Sequence, residues 1–150
     1  MPNISICFFI CFMISTFSFA QVNCKIEYYS GEDGLAHSSV TAVVKDQDGF
    51  MWLGTWNGLN RFDGKNFKTY KPTLKGNSYL ESKRIVQILD GENNLLWIKT
   101  YDKQIYWFDK KTEEFASLST IIEERYKKKI PFNKILKVSK DYVRLGSVER

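Results

Sequence analysis

The chain nearly repeats itself, with residues 40–70 recurring as residues 85–118. The offset between the copies is 45 residues at the tryptophans (97 minus 52) and 46 at the aspartates (109 minus 63), so one residue is inserted between them. A repeat of this length must pack against its neighbours to bury a core. The aligned pairs are Trp52 with Trp97, Thr55 with Thr100, Phe62 with Phe108 and Asp63 with Asp109.

Each copy contains four runs rich in β-branched and aromatic residues, separated by turn residues. The first copy reads VTAVVK, FMWLG, GLNRF and NFKTY, and the second reads RIVQIL, LLWIK, QIYWF and EEFASL. Glycines in Asp48-Gly49 and Asp63-Gly64 accept the positive φ that tight hairpins require. Four short antiparallel strands per repeat are typical of a β-propeller blade. We therefore predict an all-β, incomplete propeller of about two and a half blades, with blade 1 over 40–72 and blade 2 over 83–119.

A third unit is predicted to begin at residue 134 and to run to residue 150. Residues 144–147 (RLGS) lie two periods after WLGT at 52–55 (144 minus 52 is 92), although the tryptophan is missing. Between the second and third units, residues 120–133 are interpreted as an inter-blade insertion. Its polar part, IIEERYKKK, is compatible with one helical turn or two.

The N-terminus has the features of a secretory signal peptide over residues 1–20. Residues 4–19 are apolar or small, and Ser18 and Ala20 are small at the positions that a signal peptidase reads, so cleavage is expected after Ala20. Because no Lys or Arg precedes the apolar run, an uncleaved inner-membrane anchor is the alternative, but about sixteen residues are few for a bilayer span. Lipidation of Cys24 is disfavoured because Asn23 precedes it. We expect an exported protein with no membrane span in its mature part.

The mature lead-in, residues 21–39, precedes the first blade. Residues 25–29 are interpreted as an extra strand, which could pair with a final blade to lock a ring. Its partner strand is absent from this sequence.

Cysteine and histidine counts exclude a disulfide or a zinc site in the mature chain. Cys24 is the one cysteine that remains after cleavage, and together with the lone His37 it cannot supply four zinc ligands. We interpret His37 as a surface or turn histidine, and no catalytic triad is present. Asp46-Gln47-Asp48-Gly49 lacks the later ligands of a calcium loop and is predicted to be a hairpin turn. No catalytic residue, metal or cofactor is predicted.

The charge of +5 does not indicate a nucleic-acid partner. Lys127, Lys128 and Lys129 form a basic run, but exported proteins seldom meet nucleic acid, and lysines commonly keep loops and strand edges soluble. We therefore predict no nucleic-acid partner.

The aromatic residues divide into two groups. Trp52 and Trp97 occupy the second strand of each copy and are predicted to pack between blades. Trp56 and Tyr101 follow the repeated threonine, where a loop is expected, and aromatic residues on a propeller face can stack against sugar rings or a partner. Trp56 and Tyr101 are therefore the candidate ligand-binding residues. The structural repeat motif comprises Trp52, Gly54, Thr55, Gly58, Leu59, Asn60, Phe62, Asp63, Gly64, Trp97, Thr100, Phe108 and Asp109.

These motifs carry a family resemblance. Residues 34–70, with WLGT at 52–55 and GLNRFDG at 58–64, resemble the two-component regulator propellers at the N-terminus of Bacteroidetes-type hybrid two-component sensors. The resemblance is strong over residues 28–72 and looser through WIKTYDKQIYWFD. The second copy departs from the pattern because Lys99 replaces Gly54 and Lys103 replaces Gly58.

The resemblance implies a sensory function. In that family the periplasmic part is a pair of propellers followed by a β-sandwich, a membrane span, a histidine kinase, a receiver and a DNA-binding domain. Such sensors typically detect oligosaccharides and switch on glycan-utilisation genes. The resemblance thus implies an oligosaccharide ligand and a periplasmic location. This chain contains no kinase segment, so we expect no enzymatic activity.

The number of repeats leaves three hypotheses. Propellers close with typically four to eight blades, whereas about 130 mature residues supply fewer than three, so the missing blades or a second copy must complete the ring. We expect a truncated sensor fragment that does not signal alone. The second hypothesis is a stand-alone secreted β-repeat module that recruits a protein partner. The third, a sugar-cleaving enzyme, is disfavoured because Asp63 and Asp109 recur at turn positions.

Overall fold

The computed structural model of the chain describes residues 23–70, 82–130, 132, 134–139 and 142–146. The predicted signal peptide and its cleavage position lie outside these residues. In the described part, two four-stranded antiparallel sheets are followed by a helix and a two-stranded hairpin. The predicted all-β fold with incomplete propeller architecture is confirmed.

Both four-stranded sheets are simple meanders, in which each strand pairs with the next one in the sequence. Blade 1 consists of β1 (Val40–Lys45), β2 (Met51–Thr55), β3 (Gly58–Phe62) and β4 (Phe67–Tyr70). Blade 2 consists of β5 (Ile85–Asp90), β6 (Leu95–Thr100), β7 (Ile105–Asp109) and β8 (Glu114–Ser117). The hairpin is formed by β9 (Lys134–Val138) and β10 (Val143–Gly146).

The repeated aspartates close the same turn in both blades. In blade 1, Asp63 Oδ1 accepts hydrogen bonds from the backbone N–H groups of Lys65 (2.8 Å) and Asn66 (2.7 Å). In blade 2, Asp109 Oδ1 accepts from the N–H groups of Lys111 (2.7 Å) and Thr112 (3.2 Å). A short acidic side chain that binds its own turn replaces the missing strand hydrogen bonds at this point. These carboxylates therefore hold the strand connections.

The main hydrophobic core lies between the two blades. Trp52 is 1% exposed, and its ring meets the ring of Phe108 edge-on at a centroid distance of 5.5 Å. Burying a side chain of this size contributes about 1.5–3 kcal/mol, so neither sheet keeps its core without the other. The buried members are Trp52, Leu59 and Tyr70 from blade 1 and Ile85, Ile88, Leu96, Ile98 and Phe108 from blade 2.

Gly54 permits the close approach of the two blades. A Cβ atom added at Gly54 would lie 2.6 Å from Cγ2 of Ile85, which is far inside van der Waals contact. The second blade has Lys99 at the corresponding position, so the third unit cannot approach blade 2 in the same way at this point. Glycine is thus required here for lack of space.

The second core cluster joins blade 2 to the helix and the hairpin that come after it in the sequence. Ile105, Leu118 and Ile135 are buried there, and Trp97 packs against them. Trp97 meets Trp107 edge-on at 5.7 Å and is half-buried, unlike the fully enclosed Trp52. The difference arises from the covering elements, because in the described part this side of blade 2 is covered by α1 (Leu118–Tyr126), Phe132 and the β9–β10 hairpin rather than by a four-stranded blade.

Helix α1 begins earlier than the sequence indicates. A polar insertion was expected from residue 120, after a strand ending at 118, but β8 ends at Ser117 and the helix starts at Leu118. Leu118 is buried against blade 2, and this contact places the first helical residue at the end of the strand. The helix covers nine residues.

The extra strand expected over residues 25–29 is not formed. Residues 23–30 have no strand pairing, and a 3-10 turn at Gly31–Asp33 comes next, capped by Ser30. A strand needs a hydrogen-bonded neighbour, and none of the described strands supplies one to this segment. Instead, the ring of Tyr29 lies 4.9 Å from that of Phe62 and 5.4 Å from that of Phe67, so the lead-in covers one side of blade 1.

Candidate ligand-binding surface

Trp56 and Tyr101 occupy equivalent turns of the two blades. Each follows a threonine that is completely buried and whose hydroxyl is used inside the turn. Thr55 Oγ1 donates to the carbonyl of Gly58 (2.9 Å), and Thr100 Oγ1 donates to the carbonyl of Gln104 (3.2 Å). The next residue is directed outwards, so Trp56 is 47% and Tyr101 68% exposed. The structure places both predicted ligand-binding residues on the surface.

Arg84 lies between these two aromatic side chains. Its guanidinium carbon is 4.9 Å from the ring centroid of Trp56 and 5.7 Å from that of Tyr101. Both distances are within the range of a cation–π interaction. Trp56 belongs to blade 1 and Tyr101 to blade 2, so the arginine connects the predicted residues across the blade boundary. Sequence reasoning missed it, because an arginine directly before a strand carries no distinguishing signal.

The backbone around Arg84 repeats that of the first blade. The N–H of Tyr101 donates to the carbonyl of Arg84 (2.9 Å), as the N–H of Trp56 donates to the carbonyl of Ser39 (3.3 Å). Ser39 and Arg84 are one period apart (84 minus 39 is 45). The alignment of the two copies could therefore have placed Arg84 beside Tyr101, although it could not have placed it beside Trp56.

His37 adds a third ring to this surface. It is half-buried in the lead-in loop and stacks on Trp56 with centroids 5.8 Å apart and an interplanar angle of 28°. Its Nδ1 accepts a hydrogen bond from the N–H of Ser39 (2.9 Å), so the proton of the neutral imidazole resides on Nε2. No acid or nucleophile is bonded to His37 in the described residues. We call Trp56, Tyr101, Arg84 and His37 the loop-face cluster.

The loop-face cluster carries positive charge. Within the described residues, Arg84 has no carboxylate at ion-pair distance. Its chain neighbour Lys83 and the nearby turn residue Lys103 are exposed. Asp102 follows Tyr101, but both of its carboxylate oxygens are enclosed and make no hydrogen bond in the described part of the chain. The exposed surface of the cluster is therefore aromatic and cationic.

A cavity of about 350 Å³ lies between blade 2 and α1, with Asp102 among its lining residues. It is lined by side chains of both charges together with Ile105, Leu118 and Phe132. The cavity is separate from Trp56 and Arg84, which do not line it. No exposed aromatic side chain is among its walls, so it lacks the flat apolar face that the loop-face cluster offers.

Asp46 and Asp90, at the β1–β2 and β5–β6 turns, already accept hydrogen bonds from other groups of the protein. The Asp46 carboxylate accepts from the N–H of Phe50 (2.9 Å), from Trp52 Nε1 (2.8 Å) and from Lys110 Nζ (3.3 Å). Lys110 also donates to Asp90 Oδ1 (3.2 Å). Burial raises the pKa of Asp46, but the hydrogen bonds from Trp52 and Lys110 outweigh it and lower the pKa below its ordinary value.

The hairpin turn predicted at residues 46–49 is confirmed. β1 and β2 pair across it, and Gly49 has a φ of 90°. No group of three or more His, Cys, Asp or Glu suited to a metal occurs among the described residues.

The remaining motif residues hold the scaffold. Asn60 is completely buried, and its Oδ1 accepts from the N–H of Ala36 and from Thr69 Oγ1, both at 2.9 Å, which fastens the lead-in to blade 1. Gly58 and Gly64 adopt positive φ, and Leu59 is fully enclosed. Phe62 contacts the lead-in, whereas its counterpart Phe108 contacts Trp52 of the preceding blade.

The architecture and the repeat define a class of protein, the β-propeller, of which the described residues form an incomplete example. Residues 34–57 match the family described as Two component regulator propeller. This stretch runs from the lead-in turn through β1 and β2 to the residue after Trp56. The match covers the first two strands of blade 1, and the family resemblance of the sequence motifs is confirmed.

Known proteins that are similar to this chain include a curated kinase and a solved extracellular domain. "Histidine kinase P4" of Formosa agariphila is 37% identical over 67 residues, which cover 40% of this chain and 5% of that protein. The extracellular domain of BT3049 from B. thetaiotaomicron, assigned to a hybrid two component system, aligns with a TM-score of 0.53 at 26% identity, covering 61% of this chain and 13% of its own. The chain thus spans a small part of the relatives that it matches.

The comparisons agree with a sensor region. The matched structure is an extracellular domain, which agrees with the expected export. Among the described residues, no helix has the length and hydropathy needed to cross a bilayer.

Proposed function

We propose that this chain is the N-terminal part of the periplasmic, ligand-sensing propeller of a hybrid two-component sensor, and that its ligand is an oligosaccharide. In this proposal the sensor controls glycan-utilisation genes, and the chain itself contributes ligand contacts rather than catalysis. The observation that carries the proposal is the pair of exposed aromatic rings, Trp56 and Tyr101, on equivalent turns of adjacent blades.

The aromatic pair suits a saccharide because a pyranose ring presents a flat apolar face and a polar edge. Tryptophan and tyrosine bury large apolar area against such a face with little loss of side-chain freedom. The threonine hydrogen bonds beneath Trp56 and Tyr101 fix the turns that carry them. The rings are thus held in position before a ligand arrives, which lowers the entropy cost of binding.

The location of the pair also suits a sensor. Trp56 lies in blade 1 and Tyr101 in blade 2, and Arg84 touches both rings. A ligand that stacks on both rings contacts two blades at once and stabilises their relative position by mass action. Occupancy is thereby linked to the packing of neighbouring blades, through the core formed by Trp52 and Phe108.

The proposal is tested by titrating the chain with a panel of oligosaccharides by calorimetry and by tryptophan fluorescence. Trp56→Ala and Tyr101→Ala should each weaken binding by about tenfold or more, as for the loss of a stacking contact. Tyr126→Ala is the matched control, because Tyr126 is 66% exposed and lies beside an arginine, Arg125, but is on α1. If no oligosaccharide binds, or if all three variants bind equally, the proposal is wrong.

Export with cleavage after Ala20 is part of the same proposal. Expression in a bacterium with an outer membrane, followed by osmotic shock and mass spectrometry, should recover a mature chain that begins at Gln21. Recovery of the intact chain in the membrane fraction would instead support an uncleaved anchor.

A protein-interaction module is the second candidate, favoured by the apolar residues left open on blade 1. Val43 is 54% and Met51 39% exposed on paired strands. Sedimentation of the chain at increasing concentration separates the candidates. Association that is abolished by Val43→Lys but unaffected by Trp56→Ala would support the interaction module.

A further inference from the structure

We propose that Arg84 makes the loop-face cluster selective for anionic saccharides, that is, for sugars bearing a carboxylate or a sulfate group. The inference rests on the proposed function, since it names the chemical class of the ligand at the same surface. The supporting observation is that the Arg84 guanidinium lies between the rings of Trp56 and Tyr101 and has no acid at ion-pair distance among the described residues.

The position of Arg84 is determined at both ends of the residue. Its carbonyl accepts the N–H of Tyr101 at 2.9 Å, and its own N–H donates to Ser82 Oγ at 3.2 Å. The guanidinium then lies within 4.9 Å of one ring centroid and 5.7 Å of another. Stacked on aromatic faces, a guanidinium still presents its N–H donors at its edge. The donors are therefore pre-positioned at the surface.

The acids of the described chain that form ion pairs are used elsewhere. Glu113 pairs with Lys68 at 2.6 Å, and Asp46 and Asp90 share Lys110 at 3.3 and 3.2 Å. Glu27 pairs with Lys25 in the lead-in. Asp102 is adjacent to Tyr101 in sequence but its oxygens are enclosed. The charge of Arg84 is thus left for a group from outside the described chain.

A comparison with Arg61 shows that an arginine over aromatic rings does not by itself indicate a site. Arg61 lies over Phe50 at 4.6 Å and Trp52 at 5.9 Å, but it is half-buried, and its charge contributes to the lowered pKa of Glu113, after the hydrogen bonds from Lys68 and Tyr70. Arg61 therefore has an acidic neighbour and a place in the inter-blade packing. Arg84 is exposed and has no acid at ion-pair distance among the described residues.

The chemistry of a guanidinium fits the anions that saccharides carry. Carboxylate and sulfate oxygens can accept two parallel N–H bonds from one arginine, which gives both strength and orientation. With Trp56 and Tyr101 on either side, the anionic group would meet Arg84 while the sugar ring lies on an aromatic face. The exposed Lys83 and Lys103 add positive charge, which attracts an anionic ligand to this surface.

The test compares three oligosaccharides of equal length: a neutral one, one containing a uronate and one bearing sulfate groups. Each is titrated against the chain, Arg84→Gln, Arg84→Lys and Arg125→Gln. We expect the anionic ligands to bind about tenfold or more tightly than the neutral one, as for a hydrogen bond to a charged group. Arg84→Gln should remove this preference by weakening the binding of the anionic ligands about tenfold more than the binding of the neutral one. Arg84→Lys should retain part of the preference, and Arg125→Gln, on α1, should change nothing.

The outcomes separate this inference from the proposed function. Equal affinity for neutral and anionic ligands, with Arg84→Gln silent, would overturn the selectivity while leaving oligosaccharide binding intact. An equal loss of neutral and anionic binding in Arg84→Gln would show that the arginine only supports the rings. Absence of binding by every saccharide overturns both proposals. If an acidic peptide binds more tightly than either anionic saccharide, the proposal of a saccharide ligand is wrong and a protein partner is favoured. A preference for uronate or for sulfate identifies the group that Arg84 binds.

Discussion

The indole Nε1 of Trp52 donates a hydrogen bond of 2.8 Å to Oδ2 of Asp46. The second blade keeps the tryptophan, Trp97, but has Gly91 where Asp46 would recur (91 minus 46 is 45). The two turns share one backbone hydrogen bond, because the N–H of Asp46 donates to the carbonyl of Phe50 and the N–H of Gly91 donates to the carbonyl of Leu95. A Cβ atom at Gly91 would lie 3.0 Å from Cδ1 of Trp97. The two blades thus hold their tryptophans by different means.

Asp46→Ala should destabilise the chain by about 1–3 kcal/mol, because it leaves the buried indole N–H without an acceptor. It also leaves Lys110 with Asp90 as its remaining partner. Urea denaturation followed by fluorescence measures the change. Asp48→Ala in the same turn is the control, since Asp48 is exposed and makes no side-chain hydrogen bond among the described residues. Equal destabilisation by the two variants would contradict the assigned role of Asp46.

Acidification should destabilise the fold partly through Asp46. Its pKa is lower in the folded chain than the ordinary value of 3.8, since the hydrogen bonds from Trp52 and Lys110 outweigh the effect of burial. The folded state therefore holds the proton less tightly than the unfolded state. This contribution to stability is present above the ordinary pKa and is lost as the pH falls through the lower, folded value. Denaturation midpoints measured from pH 6 down to about pH 3 should fall less steeply for Asp46→Asn than for the original chain.

Gly54→Ala should cost about 1–3 kcal/mol through overpacking between the blades. Shortening the clashing side chain with Ile85→Ala removes Cγ2, so Gly54→Ala should cost less in that background, and a double-mutant cycle measures the coupling. Ile85→Val retains Cγ2 and should not relieve the clash. Gly31→Ala is a further control, because a Cβ there has no heavy atom within 4 Å. Additive effects of Gly54→Ala and Ile85→Ala would show that the blades do not meet at this point.

Lys103→Gly should stabilise the chain. Lys103 has a φ of 68° in the turn where blade 1 has Gly58, also with positive φ. A residue with a Cβ in this region is strained by about 1–2 kcal/mol. Glycine removes this strain, but its more flexible unfolded state offsets part of the gain in stability. Thermal denaturation should show a higher midpoint. Lys111→Gly, in a turn without positive φ at that residue, should lower it, and a fall in both variants would contradict the prediction.

Tyr29→Ala should release the lead-in from blade 1. Tyr29 makes edge contacts with Phe62 and Phe67 at 4.9 and 5.4 Å, and its loss uncovers both rings. Limited proteolysis should then cleave the lead-in faster. The neighbouring Tyr28 is 88% exposed, so Tyr28→Ala should leave the cleavage rate unchanged.

The strands and their turns were predictable because they depend on local chemistry. β-branched and aromatic runs, Asp-Gly turns and the repeated threonines are all visible within a few residues. The strand expected over 25–29 was wrong for the complementary reason, since a strand forms only where another strand pairs with it. The early start of α1 depends on Leu118 finding a buried place against blade 2, which no local pattern indicates.

The candidate surface was predictable in part. Trp56 and Tyr101 follow from the repeat, because each comes after the threonine that closes its turn. The repeat could have placed Arg84 beside Tyr101, but not beside Trp56, which lies 28 residues away in the sequence (84 minus 56). The role of Arg84 depends on the packing of two blades.

The amino-acid sequence alone determined the period of the repeat, the order of the strands within each blade and the turns that direct Trp56 and Tyr101 outwards, because these features depend on interactions between residues close along the chain. The tertiary structure decided which side chains meet across the blades. Burial of Trp52 against Phe108, made possible by the absence of a side chain at Gly54, brings the two sheets together and thereby sets Arg84 between rings from different blades.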